Sequence, residues 1–86
     1  LYPQAAILKS SNASFAQALR ALRKERRISQ EALALDAGLD RTYISLLELG
    51  RRSPTLETML AIAHALGISL TELAAATEAA MQASRD

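Results

Sequence analysis

The sequence predicts an all-α fold, a compact five-helix domain, and three observations carry that expectation. Half of the 86 residues are hydrophobic but only Tyr2, Phe15 and Tyr43 are aromatic. The core must therefore be built from Leu, Ile and Ala, which suits packed helices better than a sheet. Residues that start and stop helices recur along the chain, and no stretch alternates apolar with polar residues as a half-buried strand would. A chain of this length closes one modest core and leaves no room for an elaborate catalytic cleft.

Taken in order, residues 1–13 carry little pattern and are expected as a flexible N-terminal arm. The chain opens without methionine, and "SNA" at Ser11–Ala13 also matches a cloning remnant. "SFAQALRALRKER" follows, with Ser14 and Gln17 spaced as a capping box and Phe15, Leu19 and Leu22 forming one apolar stripe. Ser29 caps a second helix, "QEALALDA", which Gly38 ends by adopting the left-handed conformation. Asp40 caps a third, running from Arg41 to Leu49 and closed by Gly50. Pro54 and Thr55 start the fourth, "LETMLAIAHAL", which Gly67 terminates. Ser69 and Glu72 form a capping box for the last, "LTELAAATEAAMQA". The implied division is an arm at 1–13, a folded helical domain at 14–76 and a C-terminal helix extension or tail at 77–86.

The second and third helices belong together. Ala34 is small where two helices would cross closely, and Gly38 permits a sharp turn between them. Leu33, Leu39, Ile44 and Leu47 can then meet in one core, giving a helix-turn-helix. That unit presents the outer side of its second helix to the DNA major groove, which is just wide enough for an α-helix. Charge is distributed accordingly. The net charge is only +1, but eight basic and five acidic residues lie between Arg20 and Arg52, leaving the remainder of the chain at −2. Positive charge is concentrated where a phosphate-facing surface needs it.

On the third helix Ile44 and Leu47 point inward, so Arg41, Thr42, Ser45 and Leu46 share the outer side. Arg41 suits the two-pronged contact to guanine O6 and N7, and Thr42 a base edge or a thymine methyl. Ser45 is short enough to sit against the groove floor or a phosphate. Leu46 has two readings: packing on thymine methyls, or packing on protein at the fourth helix or a second copy. Tyr43, at the flank, can offer its hydroxyl to a phosphate while its ring packs on apolar neighbours. Gln30 and the free N–H groups at the start of the second helix suit a phosphate, as do Arg51, Arg52 and the N–H donors near Thr55.

Several classes of function are disfavoured. There is no cysteine, which removes disulfides and thiolate metal sites and fits an intracellular protein. His64 stands without a second His, so it reads as a surface or interface residue and no metal is expected. No apolar run approaches the roughly 20 residues that cross a membrane. No nucleophile–base constellation or Gly-rich phosphate loop is visible, so neither an enzyme nor a cofactor is expected.

"LRKERRISQEALALDAGLDRTYISLLELGRRSPTLETMLAIAHALGISLTEL" resembles the lambda-repressor/Cro type of helix-turn-helix domain, the XRE family. The likeness spans Phe15 to about Ala75, including "E-x-G-R-R-x-P" from Glu48 to Pro54, and "DRTYIS" is most similar to the controller proteins of restriction–modification systems. The resemblance implies a sequence-specific transcriptional regulator of bacterial or phage type, acting in the cytoplasm on a double-stranded (pseudo)palindromic operator. It implies a homodimer, with the Ala-rich fifth helix at the dimer contact. It also implies a structural ion pair between Arg23 and Glu48. A competing expectation from another class is a helical interaction module, of antitoxin or adaptor type, that keeps the fold without reading DNA. Retention of Gln30, Arg41, Arg51 and Arg52 favours the DNA reading.

Overall fold

Residues 4–85 are described by the computed structural model, with side-chain detail for 10–84. They form α1 (Gln4–Glu25), α2 (Gln30–Ala37), α3 (Arg41–Glu48), α4 (Leu56–Leu66) and α5 (Leu70–Arg85). No strand occurs among the described residues. The long terminal helices α1 and α5 pack on each other, α1 also meets α3, and α4 lies against both α2 and α5. Phe15 and Leu19 of α1 converge with Leu33 and Ala34 of α2, Ile44 and Leu47 of α3, Ile62, Ala63 and Leu66 of α4 and Leu73 of α5. The side chains of Leu19, Leu33, Ile44, Leu47 and Ile62 are fully enclosed. Burying such a side chain stabilises a domain by about 1.5–3 kcal/mol, so these five carry much of the fold's stability.

The caps fall largely where local chemistry puts them. The Ser29 hydroxyl accepts the Ala32 N–H at 3.0 Å, and the Thr55 hydroxyl accepts the Thr58 N–H at 3.1 Å. Ser69 and Glu72 cap reciprocally, with the Glu72 N–H on Ser69 Oγ and the Ser69 N–H on Glu72 Oε1. Gly38 takes φ 70°, and its N–H and that of Leu39 close on the carbonyls of Leu35 and Ala34. Leu39 is thereby turned inward against the core.

Four expectations are corrected. The arm expected at 1–13 is helical from Gln4 onward, because residues 4–13 contain neither Gly nor Pro and "AAILK" is made of good helix formers. Ser14 is consequently a buried interior residue of α1 and caps nothing; the Ser-x-x-Gln spacing is a coincidence there. Asp40 has the extended backbone of a cap residue, but its side chain makes no capping bond. The division expected at 76/77 falls inside α5, whose Ala80 is buried, so the extension is part of the same packed unit. Nothing in the sequence signalled the end of α1, where Arg27 adopts φ 57°. The Arg27 and Ile28 N–H groups close on the carbonyls of Lys24 and Arg23, the arrangement a glycine usually supplies.

Candidate nucleic-acid interface

The third helix is fixed from behind and free in front. Ile44, Leu47 and Glu48 are buried, whereas Arg41 and Thr42 are exposed and Ser45 and Leu46 are half-buried beside them. Every second-helix and third-helix residue expected in the core is there, so the outward register of Arg41, Thr42, Ser45 and Leu46 follows from the packing.

Glu48 is the clamp. Its carboxylate accepts from Arg23 Nε at 2.5 Å and from Arg23 Nη2 at 2.8 Å, a two-pronged ion pair. Gln30 Nε2 adds a third bond at 3.1 Å, and the Glu48 carbonyl accepts from Arg20 Nη1 at 3.3 Å. Arg23 also donates through Nη1 to the Ile28 carbonyl, binding the α1–α2 connection into the same cluster. One carboxylate thus ties α1, α2 and α3 together, and the expected pair of Arg23 and Glu48 is present with a larger set of partners. Burial pushes the Glu48 carboxyl up, but the bonds from Arg23 and Gln30 and the charges of Arg23 and Arg20 outweigh it, so its pKa lies below the ordinary value. Arg23 is raised, chiefly by its bond to Glu48, against the opposing effect of burial. An acid inside a basic surface is in this way consumed by structure and withdrawn from the side facing solvent.

The expected phosphate contacts sort into three groups. Arg51 and Arg52 are exposed on the α3–α4 connection, where the Arg51 N–H bonds the Leu46 carbonyl at 3.0 Å. The Arg52 guanidinium lies 5.6 Å from the centre of the Tyr43 ring, a cation–π arrangement that orients it. Tyr43 is half-buried against the core with its hydroxyl 3.5 Å from Thr58 Oγ1, so its ring has a structural task whatever its hydroxyl meets. The side chains of Gln30 and Thr55 also have partners within the protein. One Gln30 donor is already engaged by Glu48, and the Thr55 hydroxyl caps α4 and donates to Thr58 Oγ1. What Thr55 can offer a phosphate is the start of α4, with its backbone N–H groups and the positive end of the helix dipole. Among the described residues no cluster of His, Cys, Asp and Glu could hold a metal ion, and no single helix is long and apolar enough to cross a membrane.

A Helix-turn-helix family model matches residues 19–73, which spans α2, α3, α4 and most of α1's second half. The chain belongs to the helix-turn-helix family. Its relatives include the control protein C.MunI of Mycoplasma sp, 45% identical over 60 residues that make up 69% of this chain and 81% of that protein. The immunity repressor of Bacillus phage phi105 is 42% identical over 57 residues, 66% of this chain but 40% of the repressor. Among solved structures, the restriction–modification controller protein C.AhdI from Aeromonas hydrophila superposes with a TM-score of 0.71 at 44% identity, covering 72% of this chain and 94% of that one. The controller protein C.Esp1396I, solved as a tetramer on its natural 35-base-pair operator, gives 0.78 at 26% identity over 84% and 95%. The matched residues include all of α2 and α3.

Proposed function

We propose that this helix-turn-helix chain is a sequence-specific DNA-binding transcriptional regulator that docks α3 in the major groove of a (pseudo)palindromic operator. The observation that carries the proposal is the division of α3: a locked face of Ile44, Leu47 and Glu48, and an open side of Arg41, Thr42, Ser45 and Leu46. Groove recognition needs this combination, because base edges are read by side chains whose backbone is already fixed. Arg41 pairs with guanine, and Thr42 and Ser45 take neighbouring bases or the groove wall. Leu46 offers an apolar surface to thymine methyls. Arg51, Arg52 oriented on Tyr43, the second Gln30 donor and the N-terminus of α4 at Thr55 hold phosphates on either side.

One module of this size makes few base contacts, so two copies on two half-sites supply the specificity. The C.Esp1396I assembly on its operator supports that reading. The regulator is non-catalytic, needs no cofactor and works in the cytoplasm beside a bacterial or phage genome. A mobility shift with salt titration tests it. Retarded complexes on a subset of genomic fragments, weakening steeply with salt, are expected. Equal retardation of every fragment would leave only an unspecific polycation.

A further inference from the structure

Asn12 and Ala13 of α1 lie outside the residues matched by the family model, yet they approach the connection that carries Arg51 and Arg52. Ser53 Oγ donates to Asn12 Oδ1 at 2.9 Å. Three residues earlier, a Cβ built on Gly50 would stand 3.5 Å from the Ala13 Cα and 3.6 Å from the Asn12 carbonyl oxygen. The connection therefore passes α1 closely enough at Gly50 that a side chain there would reach the backbone of Asn12 and Ala13. Beside it an open groove of about 380 Å³ is lined by Asn12, Phe15, Ser53, Pro54, Met59 and Met81, among others. The connection is held at its start by the Gly50 and Arg51 N–H groups on the Leu47 and Leu46 carbonyls, by Arg52 on the Tyr43 ring, and beyond the arginines by the Ser53 hydroxyl on Asn12.

We propose that Asn12 is a positioning residue for the phosphate-facing arginines, and that α1 at Asn12 braces the connection from which they project. The inference rests on the DNA-binding reading for its functional consequence. Its physical basis is that a contact made by a pre-ordered loop costs less conformational entropy than one made by a loose loop. Asn12 touches no DNA in this account; it acts through Ser53.

The test is a double-mutant cycle of Asn12→Ala and Ser53→Ala, read by fluorescence anisotropy on a labelled duplex containing a retarded genomic site. Asn12→Ala is expected to weaken binding by about three- to tenfold, the equivalent of one ordinary hydrogen bond. It should do so without lowering Tm, since alanine is the better helix former. Ser53→Ala should match it, the double variant should add nothing, and Ser53→Thr, which keeps a hydroxyl, should restore affinity. Amide hydrogen exchange without DNA supplies a separate readout: residues 50–53 should exchange faster in Asn12→Ala while α2 is unchanged. Additive losses in the cycle, or unchanged exchange at 50–53, overturn the brace. If the wild type binds no duplex at all, the DNA reading fails, and hydrogen exchange alone still decides whether Asn12 orders the connection.

Discussion

At the scale of single residues, two side chains of like charge have opposite duties. Arg23 is turned inward on Glu48, while Arg51 is exposed on the α3–α4 connection with its backbone N–H on the Leu46 carbonyl. Arg51→Ala should weaken binding on all sequences alike and reduce the slope of log K against log salt by about 0.9, as loss of one phosphate contact does. An unchanged slope in a salt titration removes the assignment. Glu48 makes a pH prediction. Its folded pKa lies below the ordinary unfolded value of about 4.3, so it is more acidic in the native state. The stability it contributes is present above about pH 4.3 and is lost as pH falls through the folded value. Thermal melts of Glu48→Gln should therefore show a lower Tm than wild type at pH 7, with the difference shrinking below about pH 4 as the wild-type carboxylate is protonated. A difference independent of pH would show that the ionised form is not what the cluster needs.

At the scale of elements, what was legible in the sequence is what is local. Ser29, Gly38, Thr55, Gly67 and the Ser69–Glu72 pair mark helix ends through bonds spanning three to five residues, and such bonds leave a readable spacing. The inward register of Ile44 and Leu47 was readable for the same reason. The start of α1 was not, because Ser14 and Gln17 match a cap pattern that also occurs inside helices. Its end was hidden because Arg27 occupies a left-handed position that glycine normally announces. The bonds of Gln30 to Glu48 and Ser53 to Asn12 join residues 18 and 41 positions apart, and no spacing rule reaches that far. The pair of Arg23 and Glu48 was read through family resemblance, while its link to Gln30 came only from the packed helices. The turn between α2 and α3 gives an element-scale test. A Cβ at Gly38 would meet nothing within 4 Å, so only the φ of 70° resists substitution. Gly38→Ala should cost about 1 kcal/mol in denaturant melts, with sequence preference on DNA unchanged. A much larger loss would reveal a steric role that the open space around Gly38 contradicts.

At the scale of the whole molecule, α1, α2 and α3 are tied at one carboxylate, and the open side of α3 is offered outward from that tie. Two such units on one operator place their α3 helices in successive major grooves on the same side of the duplex, with half-sites about 34 Å apart or a multiple of that. The measurement that bears most directly on this claim is selection of bound sites from a random DNA pool, run in parallel for the wild type and Arg41→Ala. The wild type should enrich a palindrome with that spacing. Arg41→Ala should enrich the same palindrome with the preference at one base pair of each half-site relaxed, at a cost of about 1–3 kcal/mol in specific binding. No enriched sequence for the wild type, or an identical motif for both proteins, would contradict the placement of α3 as the element that reads DNA.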